Sequence, residues 1–136
     1  MAVTSGGGIA IAVGGAVLAI LVLRYAAGAA TVQKDSKRAF TSSQRTAAFT
    51  RAGNQCEHFG LFGRRCTASP SHADHIYPHS KGGATTLSNC QALCARHNLA
   101  KSAHVPSRLY VARLERRRAS YFPPGTPTDV SWKVGY

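Results

Sequence analysis

Four cysteines and five of the six histidines fall between Cys56 and Lys101, and this crowding constrains the chain more than any other feature. Thiols and imidazoles at short spacing either ligate a metal or, in an oxidising compartment, pair as disulfides. Cys94-Ala95-Arg96-His97 has the two-residue gap that lets one tight turn offer two ligands to one ion. Cys56 and Cys66, with nine residues between them in a loop that holds Gly60 and Gly63, can supply the other two. Four such ligands with no open position describe a structural zinc site, which lets a small domain fold without a large core. Two alternatives stand beside it: Cys90 with Cys94 can complete a four-cysteine site, and export would favour disulfides. Cys56, Cys66, Cys94 and His97 are the preferred set, because Cys90 lies in the run NCQAL, which reads as a strand with a buried cysteine.

The chain has 136 residues, with 17 Lys+Arg against 5 Asp+Glu and a net charge of +12. That length leaves room for one modest domain and none for a large multi-domain enzyme. The charge lies downstream, since no side chain ionises from Met1 to Leu23 whereas residues 31–136 carry 16 bases and 5 acids. Such a balance argues for a polyanionic partner, nucleic acid or an anionic membrane surface, and against a binder of acidic proteins or cationic ligands. Gly6–Leu23 is 18 residues without a charge, just long enough to span a bilayer, so residues 1–30 are expected to form an N-terminal transmembrane anchor. Arg24, Lys34, Lys37 and Arg38 all follow it, which places the basic domain in the cytoplasm. A cleaved secretory signal, with Ala27-Gly28-Ala29 as its small-residue site, is the alternative and would make the protein secreted. The absence of Lys or Arg ahead of the apolar core speaks against it.

Residues 31–40 read as a short basic linker. A helix is expected from Thr41 to Arg51, capped by Thr41, Ser42 or Ser43 and ended by Gly53-Asn54. A second is expected from Ser107 to Ala119, with Leu109, Tyr110, Val111 and Leu114 packing and Arg108, Arg113, Arg116, Arg117 and Arg118 turned outward. The arginine run is either a solvated face or a phosphate-binding one. Residues 121–136, with Pro123-Pro124-Gly125 and Pro127, form an irregular tail.

A second constellation comprises Asp74-His75, Pro78, Ser80, Gly82-Gly83, Asn89, Asn98 and Lys101. The string ADHIYPHSKGGATTLSNCQALCARHNLAK resembles the zinc-bearing branch of the HNH endonuclease family, in its His-Asn-Asn variant, and the resemblance spans roughly Arg51 to Lys101. It implies a small α+β fold, a ββα-metal finger with structural zinc and flanking helices over residues 41–120. A strand would end near His75, a second would cover Cys90–Leu93, and a helix would run from about Ala95 to Ser102. Gly82-Gly83 suits the turn between the strands.

Carried over position by position, the resemblance makes His75 the general base and Asn89 the residue that fixes its loop. Asp74 and Asn98 would hold a hard divalent ion, magnesium or manganese. Asn98 stands where many members have histidine, so a shifted register with His97 as the catalytic ligand is the competing assignment. Lys81, Arg96, Lys101, Arg113, Arg116 and Arg117 would grip phosphates, contacts that carry little base information. The expected activity is metal-dependent hydrolysis of DNA with low sequence specificity, and no small-molecule cofactor is called for. A non-catalytic zinc-stabilised nucleic-acid binder and a small exported disulfide protein are the other readings. Zinc deaminase chemistry is set aside, since no H-x-E with a later P-C-x-x-C is present. His58, His72, His79 and His104 receive no role.

Overall fold

The computed structural model describes residues 32–132. The expected anchor lies outside the described residues, among which no helix is long and apolar enough to cross a membrane. Helix α1 covers Ser42–Arg51, and a two-stranded antiparallel hairpin follows, built from β1 (His72–His75) and β2 (Cys90–Leu93). Helix α2 (Ala95–Lys101) starts directly after β2, and α3 (Arg108–Arg118) closes the series. This small α+β arrangement is the one a ββα-metal finger requires.

Local chemistry explains the boundaries. Thr41 and Gln44 form a reciprocal capping box, each side chain bonding the other's backbone amide at 3.2 and 2.9 Å, which satisfies two amides left open at the start of α1. The helix ends in a Schellman motif: the Asn54 amide donates to Phe49 O at 2.8 Å and the Gly53 amide to Thr50 O at 2.9 Å. Gly53 takes a φ of +62°, the left-handed conformation such an ending needs.

Strand register is His72 opposite Leu93, Ala73 opposite Ala92, Asp74 opposite Gln91 and His75 opposite Cys90. The connecting loop is held by Asn89, which is completely buried. Its Oδ1 accepts from the Tyr77 amide at 2.8 Å, and its Nδ2 donates to Tyr77 O at 3.0 Å and Ala84 O at 2.8 Å. Gly83 sits in the same fastening, where a β-carbon would lie 1.9 Å from Tyr77 O. Only glycine permits that approach.

Among the described residues no single core dominates. Ile76, Val111, Leu114 and Val130 form one apolar cluster, Phe40, Ala48 and Cys90 a second, and Cys56, Leu93 and Cys94 a third. The supposed linker is part of this packing: Phe40 is buried, and Asp35 Oδ2 accepts from the Thr85 amide at 2.9 Å. The tail is irregular, as expected, yet Val130 enters the core and Trp132 stacks on Tyr77 with ring centroids 5.4 Å apart.

Helix α3 turns differently from its expected setting. Val111, Leu114 and Arg118 occupy one face at helical spacing and are buried, whereas Leu109 and Tyr110 are exposed. Arg118 therefore points inward. Its charge is met by Glu57, whose Oε1 accepts from Arg118 Nε at 2.9 Å and from the Tyr121 hydroxyl at 2.9 Å. Glu57 Oε2 accepts from the Ala92 amide at 2.7 Å, and Arg118 also donates to Cys90 O at 2.7 Å, so the pair ties α3 to β2. Replacing Glu57 by alanine strands a buried guanidinium, and about 3–5 kcal/mol of unfolding free energy should be lost in chemical denaturation.

Candidate active site and metal centre

The Sγ atoms of Cys56, Cys66 and Cys94 and a ring nitrogen of His97 all lie within 4.8 Å of one another. The turn from β2 into α2 supplies Cys94 and His97, and the loop before β1 supplies the other two. His97 Nδ1 is 3.2 Å from Cys94 Sγ and 3.5 Å from Cys56 Sγ. Tetrahedral zinc with sulfur at about 2.3 Å and nitrogen at about 2.0–2.1 Å separates its ligands by roughly 3.5–3.8 Å, so the set can hold such an ion. All four cysteines of the chain are free thiols, and Cys90 is not in the cluster: it packs against Phe40 and Ala48. Burial pushes the Cys90 thiol up to about 12, which suits an inert core residue. Burial likewise pushes Cys56 up to about 11, while hydrogen bonding from the His97 backbone lowers Cys94. A divalent cation among these sulfurs would reverse the burial effect by favouring thiolates.

On another face, β1 ends in a cleft of about 640 Å³ lined by Asp74, His75, His79 and the cations Lys34, Arg38, Arg45 and Lys101. His75 is buried, with the Phe40 ring 4.5 Å away between centroids. Its Nε2 lies 3.0 Å from Thr85 Oγ1. The Thr85 hydroxyl donates to Lys37 O, which can only accept, so His75 Nε2 must carry the proton it shares with Thr85. That leaves Nδ1 as the basic nitrogen. Burial, as the main influence, holds the imidazole below the ordinary histidine range and keeps the ring neutral near pH 7.

Residues 56–104 match a family model described as HNH endonuclease. Over that stretch the chain is similar to HNH endonucleases. No curated protein and no solved structure matches the chain. The segment covers the sulfur-rich cluster and the second constellation from Asp74 to Lys101, and the members of the second are distributed unevenly. Asp74 and His75 line the cleft together, whereas Asn98 is not among its lining residues. Asp74 Oδ2 instead accepts from Lys101 Nζ at 2.7 Å, and the same ammonium donates to His75 O at 2.6 Å.

The cations also divide. Of those expected to grip phosphates, Lys101 alone lines the His75 cleft. Arg96 lies against His97, with its guanidinium 3.2 Å from Nε2, and Arg113 and Arg117 border a separate hollow with Phe59 and Leu61. Arg116 and Lys81 are exposed elsewhere. The residues that sequence reasoning missed are Lys34, Arg38, Arg45 and Thr85. Three of them precede the HNH segment, in the stretch read as a linker and in α1, and only the fold brings them to the cleft.

Replacing Thr85 by valine keeps the volume and deletes the hydroxyl. The neutral His75 ring should then lose its fixed protonation, seen in imidazole nitrogen chemical shifts as a rise in the form protonated on Nδ1. Thr85→Ser should restore the original spectrum, and an unchanged valine spectrum would remove Thr85 from this role.

Proposed function

We propose that the protein is a metal-dependent endonuclease that hydrolyses DNA phosphodiester bonds, with His75 as its general base. One observation carries this reading: the buried His75 ring, its Nε2 3.0 Å from a threonine hydroxyl that itself donates to Lys37 O, stands at a cleft lined by four cations. The cations suit the phosphates on either side of a scissile bond. His75 Nδ1 would take the proton from an attacking water, and Thr85 would hold the ring in the orientation and tautomer that this requires. Asn89 would act by position, closing the loop from Tyr77 to Ala84 over which Thr85 reaches the ring. Asp74 would hold magnesium or manganese through its carboxylate. Such an ion supplies charge neutralisation at phosphate oxygens and at the leaving oxygen. Cys56, Cys66, Cys94 and His97 would hold zinc in a structural role. Contacts confined to phosphates predict low sequence specificity, and the uncharged stretch Gly6–Leu23 supports a membrane-tethered form with the basic domain in the cytoplasm.

One observation favours a second reading, a zinc-stabilised DNA binder without catalysis. Lys101 occupies Asp74, and Asn98, the other expected ligand, is away from the cleft lining. The two readings part on one assay, supercoiled plasmid incubated with the full chain. The endonuclease gives nicked or linear DNA with magnesium or manganese and none with excess chelator for those ions. Salt-sensitive retention of uncut plasmid under every divalent ion would overturn it in favour of the binder.

A further inference from the structure

We propose that the loop tip Leu61–Phe62 is a docking element for an anionic lipid surface. The tip lies between Cys56 and Cys66 and is a built turn. Phe59 pairs with Arg65 across its base, the Gly60 amide donates to Arg64 O at 3.0 Å, and the Gly63 amide donates to Gly60 O at 3.0 Å. Arg65 locks the base from behind: it donates to Ala52 O at 2.6 Å and Gln55 O at 2.7 Å, and its guanidinium lies 3.8 Å from the Tyr121 ring centroid. At the apex, Leu61 is 101% and Phe62 94% exposed. A stapled turn thus holds two adjacent large apolar side chains fully in water.

They are not isolated. Leu61 lines a hollow of about 280 Å³ with Leu109 and Tyr110, both exposed on α3, and with Arg113 and Arg117. Arg64, next to the apex, is exposed as well. The only acid in the hollow is Glu57, already neutralised by Arg118. Apolar tips ringed by guanidinium groups match a surface that offers acyl chains beneath anionic phosphates.

The arrangement favours lipid over duplex DNA on two grounds. The hollow shares no lining residue with the His75 cleft, so it is not an extension of the candidate substrate surface. The same chain holds the 18-residue uncharged stretch Gly6–Leu23, which already points to a bilayer.

Hydrogen exchange in the full chain tests it. The Leu61 and Phe62 amides have no backbone hydrogen-bond partner among the described residues and exchange readily in solution. Vesicles of phosphatidylcholine with phosphatidylserine should slow these amides about tenfold or more, since insertion removes them from water. Phosphatidylcholine alone should slow them far less. The double variant Leu61→Ser, Phe62→Ser should lose the effect while α1 and β2 keep their protection. Unchanged exchange with anionic vesicles, equal slowing by both lipid compositions, or equal slowing by a short DNA duplex would each overturn the proposal.

Discussion

Replacing His75 by alanine or glutamine in the full chain should lower the rate of plasmid cleavage by about 10²–10⁴-fold, the range in which a positioned proton acceptor contributes. Alanine removes both the base and the ring that packs on Phe40, so some loss of stability will accompany it. Glutamine separates the two effects. It fills most of the space and retains an amide that can donate to Thr85, yet it offers no basic nitrogen. A glutamine variant with the wild-type melting temperature and no cleavage would assign the loss to chemistry; one that still cleaves at the wild-type rate would end the proposed mechanism. The pH dependence follows from burial of the ring. Because the folded imidazole sits below its ordinary range, it is already neutral at pH 7, so the rate should be flat there and fall as acid protonates Nδ1. Stability moves in the same direction. The folded state binds the proton less readily than the unfolded chain, so this contribution is present above the unfolded value and is lost as pH falls through the lowered one.

With zinc in the cysteine and histidine cluster as proposed, its removal should unfold the domain. Structural zinc in comparable small sites contributes an apparent ~10–16 kcal/mol at pH 7, while the whole stability of a typical domain is about 5–15 kcal/mol. The three small apolar clusters give little reserve against such a loss. Cys94→Ser should therefore abolish both bound zinc and the cooperative thermal transition followed by circular dichroism. Cys90→Ser is the control, since that residue lies with Phe40 and Ala48 outside the ligand set, and it should keep one zinc per chain. A chelated protein that melts as the untreated one does would show that packing alone holds the hairpin to α2.

Much of the fold was legible because its signals are local. The Cys94-x-x-His97 turn, the run NCQAL and the Thr41 cap each depend on residues within a few positions, and α1 and β2 fall close to where those patterns place them, while β1 and α2 fall where the family resemblance implies. The inward turn of Arg118 was not legible. A run of arginines carries no mark of which one faces a carboxylate 61 positions away, and Glu57 in isolation reads as an ordinary surface acid. The same limit hid the cleft cations. Lys34 and Arg38 look like the flank of a linker until Asp35 and Phe40 are seen to anchor that stretch against the loop. For the candidate site, Asp74 and His75 are neighbours in sequence and meet in one cleft, while Asn98 depends on how α2 turns against β1, which spacing alone does not fix.

The bond from Thr85 to Lys37 O has a practical consequence for anyone trimming this protein. A fragment cut to begin at Ser42 would keep both described strands, helices α1 to α3 and every side chain of the cysteine and histidine cluster, and would look complete. It would nevertheless lack the acceptor that orients the threonine proton, so the nearby ring could switch nitrogens freely. Silence from such a shortened version would reflect a missing upstream clasp rather than an incompetent centre.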